Sequence, residues 1–186
     1  NKKNVITSLK EYIEEDKEIS KFFFVEFFNP GHIANSTSET SGAEEEKVKW
    51  LKRLDAANNT LTEMITMIHE LDPEGLIIML SDHGGYVGLE YAMEMYSPMH
   101  ERDKIYSIYG SNLSIKWPNN KAPDFDKQLK TTVNVFRILF SYLSEEKKYL
   151  DNLQSDSSYS LIFYDAPTGP YECINEAGDI RFVKYD

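Results

Sequence analysis

The chain has 186 residues and a mass of 21.5 kDa, with 41% hydrophobic and 13% aromatic residues and a formal net charge of −11. That apolar content suits one domain, or one large piece of a bigger one, with a real core, and it excludes a disordered chain. The acidity argues against a basic phosphate-binding face, so no nucleic acid is expected, and no apolar run nears the ~20 residues of a membrane span, so no membrane contact by the chain itself is expected.

Val5 to Lys17 is predicted as a helix, since Val5, Ile6, Leu9, Tyr12 and Ile13 recur at three- and four-residue intervals. Phe22 to Phe28 is a continuous apolar run, the pattern of a strand covered on both faces, and it stops at Asn29-Pro30-Gly31. Ile33 to Ala43 reads as loop. Glu44 to Leu71 is predicted as the longest helix, with Val48, Leu51, Leu54, Leu61, Met64, Ile65, Ile68 and Leu71 as its buried stripe and three glutamates where the macrodipole favours them. After Asp72-Pro73-Glu74-Gly75, Leu76 to Leu80 is predicted as a second buried strand.

Ser81-Asp82-His83-Gly84-Gly85 follows that strand without a break. Leu89 to Tyr96 is predicted as a short helix, and Ile105 to Lys116 as a stretch containing a third strand. Thr131 to Leu143 is predicted as a strongly apolar helix. Leu161 to Tyr164, Tyr171 to Ile174 and Ile180 to Tyr185 read as short strands separated by turns. The alternation of helices and strands predicts an α/β fold, layered helix-sheet-helix around a mostly parallel sheet, with a small C-terminal β extension. Ligands bind such sheets outside the carboxyl ends of the strands. Asn29 to His32 and Ser81 to Gly85 are the two polar clusters expected there.

Asp82 and His83 are the candidate metal ligands. A strand holds the backbone rigid before them, and Gly84-Gly85 lets it turn away steeply, so a carboxylate and an imidazole can converge on one ion. Oxygen plus nitrogen donors suit zinc or manganese. The alternative is a satisfied pair that caps the next turn. His32, at the end of the neighbouring apolar run, is expected at the same sheet edge. His69 reads as structural, and His100 as a surface histidine that could approach the site. Arg102 is a candidate contact to an anionic substrate, since guanidinium matches phosphate or sulfate oxygens, against an ordinary salt bridge. Cys173 stands alone, so no internal disulfide forms, and the three sequons at Asn35, Asn58 and Asn112 are common patterns in an Asn-rich chain.

Leu76 to Gly85 resembles the late metal-binding motif of the sulfatase-like branch of the alkaline phosphatase superfamily. Phe22 to His32 is similar to that family's strand leading to a histidine loop, Trp50 to Leu61 to its preceding long helix, and Thr132 to Arg137 to its late helix. Glu101-Arg102, Ile105 to Ser114 and Trp117-Pro118 resemble the segment returning to the sheet. The resemblance spans about residues 5–145. It implies a metal-dependent hydrolase or transferase of sulfate or phosphate esters, using one or two divalent cations (zinc, manganese or calcium), with Asp82 and His83 as metal ligands and His32 as a second-site ligand or substrate contact. It also implies that residues 1–150 form the C-terminal portion of such a domain and 151–186 a divergent β-rich tail packed on it.

The chain departs from the family pattern in three places. The strand bearing the first aspartate ligand and the nucleophile are not found, Glu26 stands where a histidine is frequent, and Gly31 shifts His32 by one place. No residue is therefore assigned as catalytic, and Cys173 lacks the context of a formylglycine site. The chain alone is expected to be inactive and to bind metal weakly. The resemblance suggests an extracytoplasmic or membrane-anchored full-length protein. The alternative is a degenerate, non-catalytic binding or assembly module, and an exposed sheet edge could pair two copies as a homodimer.

Overall fold

The computed structural model describes residues 2–15 and 18–185. Helix α1 (Lys2–Glu14) lies against helix α2 (Ala43–Leu71) and buries Leu9. The predicted end of the first helix, at residues 16 and 17, lies outside the described residues. In α2, Glu44, Glu45 and Glu46 occupy the first turn and His69 the last, each where its charge suits the macrodipole. The helix stops at Asp72, whose N–H donates to the Ile68 carbonyl at 2.8 Å, just before Pro73.

The buried face of α2 differs from the predicted stripe in its first turns. Glu46, Ala57 and Met64 are buried and Trp50 and Arg53 half-buried, whereas Val48 and Leu51 stand 65% and 48% exposed. Positions 46, 50, 53 and 57 share one helical face, so the first turns turn another side inward than hydrophobicity alone suggests, while Met64 is buried and Leu54, Leu61, Ile65, Ile68 and Leu71 half-buried as expected. The loop at residues 31–41 supplies hydrogen-bond partners for Glu46, Trp50 and Arg53 Nη2 on that face, which offsets part of the penalty for burying them.

The layered fold with a mostly parallel sheet is not found. The described residues are 44% helix and 13% strand, and their two small sheets are both antiparallel. Strand β1 (Ile77–Leu80) pairs with β2 (Leu113–Lys116) in the register Ile77 to Lys116 and Leu80 to Leu113. The first half of the expected third strand is helix α3 (Arg102–Tyr109). It buries Ile105 and Ile108 one turn apart, a helical spacing, and ends at Gly110. Phe22 to Phe28 forms no strand and joins neither sheet. An apolar run makes a strand only where a neighbour completes its backbone hydrogen bonds, and β1 takes β2 as its single partner.

Leu89 to Tyr96 contains one 3₁₀ turn, Ala92–Tyr96, rather than an α-helix. Helix α4 (Val135–Ser144) follows a 3₁₀ turn at Thr132–Asn134. In the tail, β3 (Ser158–Ile162), β4 (Gly169–Ile174) and β5 (Ile180–Lys184) form a three-stranded antiparallel sheet, so the first tail strand lies a few residues earlier than predicted. This sheet meets the rest of the molecule through Tyr109, whose hydroxyl donates to Cys173 Sγ at 3.3 Å, and through the Phe163 N–H, which donates to the Tyr96 carbonyl at 2.9 Å. No described helix is long and apolar enough to cross a membrane.

A core cluster of Ile33, Tyr86, Leu89, Ala92 and Ile108 sits beneath the Gly84–Gly85 turn, with Trp50, Met95, Met99 and Tyr109 packed against it. Leu89 is fully buried, which contributes about 1.5–3 kcal/mol. The same cluster supports the polar residues described next.

Candidate metal centre

The segment after β1 is held by the end of α3. The last carbonyls of a helix lack partners within it. Here the Ile108 carbonyl accepts from the Gly84 N–H at 2.9 Å and the Ser107 carbonyl from the Tyr86 N–H at 3.0 Å. Glycine is required at both central positions. A Cβ on Gly84 would lie 2.1 Å from the Ser107 carbonyl oxygen, and one on Gly85 would lie 2.2 Å from Cε2 of Trp50. Tyr86 follows with φ of 60°, a left-handed conformation uncommon outside glycine, and this turns its ring inward.

The Gly31–Ala34 loop is held by α2. Trp50 Nε1 donates to the Gly31 carbonyl at 2.8 Å, and Arg53 Nη2 donates to the His32 carbonyl at 2.9 Å. Glu46 accepts from the Ala34 N–H at 3.0 Å and from the Ser41 N–H at 3.3 Å. The Ala34 hydrogen bond is the main reason the Glu46 carboxyl lies below the usual carboxylate range; burial opposes it, and Lys49 and the Ser41 N–H add to it. The two segments touch where the Ile33 N–H reaches the Gly85 carbonyl at 3.4 Å.

These anchors bring together three rings from two segments about fifty residues apart in the chain. The centroids of His32 and His83 are 6.1 Å apart, those of His83 and Tyr86 5.1 Å, and those of His32 and Tyr86 5.6 Å, the last two edge-to-face. Each imidazole has its Nδ1 committed to the backbone. His83 Nδ1 donates to the Gly84 carbonyl at 2.7 Å and His32 Nδ1 to the Ile33 carbonyl at 3.1 Å. In the neutral ring this leaves Nε2 as the acceptor, the tautomer that binds a metal. Asp82 Oδ1 accepts from the His83 N–H at 3.0 Å, and Asp82 Oδ2 lies 3.4 Å from His83 Nε2.

Asp82 and His83 thus face one space, with the His32 ring alongside and Asp82 almost fully open to solvent. Adjacent donors on a tetrahedral zinc ion with bonds of about 2.1 Å are separated by about 3.4 Å, so the Asp82–His83 spacing fits two positions of such a site. No set of three or more His, Cys, Asp or Glu side chains is gathered closely enough to hold a metal among the described residues. Water or a substrate oxygen would fill the remaining positions.

The other candidates lie elsewhere. Arg102 begins α3 and stacks over the Tyr106 ring at 4.5 Å, at the opposite end of the helix from the carbonyls that hold the Gly84 turn. His100 is exposed, with its ring 5.9 Å from that of Phe182. His69 is exposed at the end of α2. A surface hollow of about 620 Å³ is lined by Lys130 and by tail residues including Ser155, Tyr159 and Glu172, and no histidine lines it. Its Glu172 is already engaged by Ser157.

Sequence reasoning missed Glu46, Trp50, Arg53 and Tyr86. The first three are one helical face of α2, and a tryptophan and an arginine at three-residue spacing were the available signal. No family model, curated protein or solved structure matches this chain.

Proposed function

We propose that Asp82 and His83, with His32 beside them, are part of a divalent-cation centre that acts on sulfate or phosphate esters, by hydrolysis or by group transfer. The carrying observation is the 3.4 Å approach of Asp82 Oδ2 to His83 Nε2, with His83 Nδ1 tied to the Gly84 carbonyl. In the neutral ring that approach sets two acceptors face to face, and a shared cation relieves their repulsion. The competing arrangement, a protonated His83 paired with Asp82, has the same geometry and is separated from it by the experiment below.

A cation held there would act as a Lewis acid toward an ester oxygen. Asp82 and His83 would hold it. His32, half-buried and ringed by Tyr86 and His83, would orient the substrate or supply a further donor. The choice of ester chemistry rests on the resemblance of Leu76 to Gly85 and of the ordered segments around it, and not on sheet topology.

The test is a cobalt(II) titration followed by its visible absorption. Saturable uptake of one ion per chain is expected, weakened at least tenfold in Asp82→Asn and in His83→Ala. Binding must weaken on acidification, because imidazole binds a cation only when neutral. No uptake, or uptake unchanged in both variants, overturns the metal reading and leaves the non-catalytic binding or assembly module in its place. Phosphate or sulfate added to the cobalt-loaded protein should perturb the spectrum if the ester reading is right.

A further inference from the structure

We infer that Arg53 is a positioning residue for His32, deepening the reading of the same cluster. Two observations carry this. First, Arg53 Nη2 donates at 2.9 Å to the carbonyl of His32 itself, a backbone group one bond from the Cα that carries the imidazole. Second, Arg53 Nε is buried and has no hydrogen-bond partner. A half-buried guanidinium with an unsatisfied donor is a destabilising choice for a core-facing helix position. Methionine would occupy similar space with no donor to satisfy. Stability alone therefore does not account for arginine at this position, whereas a long, planar donor reaching across to the loop does.

Trp50 works from one turn earlier on α2. It holds the Gly31 carbonyl at 2.8 Å, so α2 grips two successive carbonyls of the loop. Two consecutive anchors hold the peptide planes on either side of the His32 Cα, and together those planes set the direction of its side chain. With both planes held, the His32 ring stays edge-on to Tyr86 and alongside His83. Without Arg53, the His32 carbonyl is free to rotate and the ring loses its place.

The experiment compares Arg53→Met and Arg53→Lys with the parent chain in three readouts. Arg53→Met should keep or raise the thermal midpoint, because a buried unpaired donor is removed. In the same protein, proton NMR cross-peaks between the His32 and Tyr86 rings should be lost, and cobalt(II) affinity should fall about tenfold, the scale of losing an outer-sphere support. Arg53→Lys retains a donor and should restore the cross-peaks in part. A midpoint that falls together with the affinity marks Arg53 as merely structural and overturns the inference. So do His32–Tyr86 cross-peaks that persist in Arg53→Met. If the parent chain takes up no cobalt, the metal reading fails, yet the cross-peaks still decide the role of Arg53.

Discussion

Gly85 is pressed against Trp50 so closely that a Cβ would lie 2.2 Å from Cε2 and 2.4 Å from Nε1 of the indole. That contact joins the two halves of the candidate site, because the same Nε1 donates to the Gly31 carbonyl. Gly85→Ala should therefore push the indole away, break that hydrogen bond and loosen the His32 loop. Overpacking of this kind costs about 1–3 kcal/mol. Urea unfolding followed by tryptophan emission should show the loss, together with a native emission maximum shifted to longer wavelength.

Glu46 makes stability depend on pH in a defined direction. Its carboxyl is depressed in the folded chain, chiefly by the Ala34 N–H. The stabilisation is fully present above the ordinary glutamate value of about 4.3 and is lost as pH falls through the lower native value. Glu46→Gln should cost about 1–3 kcal/mol at neutral pH. The gap between the thermal midpoints of parent and variant should begin to narrow as pH falls below the ordinary glutamate value and close below the lower native one. A gap that is constant with pH would remove the carboxylate from this role.

Cys173 is 2% exposed, and burial pushes its thiol above the ordinary range while Tyr109 donates to the sulfur. The Tyr109 hydroxyl is itself raised, by burial first and then by its hydrogen bond to Cys173. A thiolate is the reactive form, so the native chain should react with a disulfide reagent at pH 8 roughly 100-fold more slowly than the unfolded chain. Stopped-flow labelling with and without denaturant measures the ratio.

The helices and the exposed phenylalanines should respond differently to truncation. Ile138 on α4 is fully buried, and Ile138→Ala should cost about 2–5 kcal/mol. Phe24 and Phe28 are 77% and 87% exposed, and Phe24→Ser or Phe28→Ser should change stability by about 0.5 kcal/mol or less. The serine variants should also bind less of a hydrophobic dye, since an exposed apolar ridge is removed. Denaturation midpoints and dye fluorescence decide both points.

Much of the local structure was legible in the sequence. The three- and four-residue spacing in Val5 to Ile13 and the apolar stripe in Glu44 to Leu71 mark α1 and α2, and the strongly apolar stretch from Thr131 to Leu143 contains α4, because such patterns are written in neighbouring residues. Strand signals were less secure. Leu76 to Leu80 became β1, but Ile105 to Tyr109 became helix and Phe22 to Phe28 joined no sheet. A short apolar run does not name its partner, and without one it is not a strand.

By itself the sequence determined where helices run, that Asp82 and His83 leave the end of an apolar segment, and that two glycines follow them. Tertiary structure decided three further things. β2 lies antiparallel on β1, α2 turns Glu46, Trp50 and Arg53 inward, and His32 comes to rest beside His83. The physical reason is the range of the forces involved. Periodicity and turn chemistry act over a few residues. Strand direction and helix rotation are set instead by distant backbone groups, such as the Gly31 and His32 carbonyls, that find their donors on α2 only when the chain has folded.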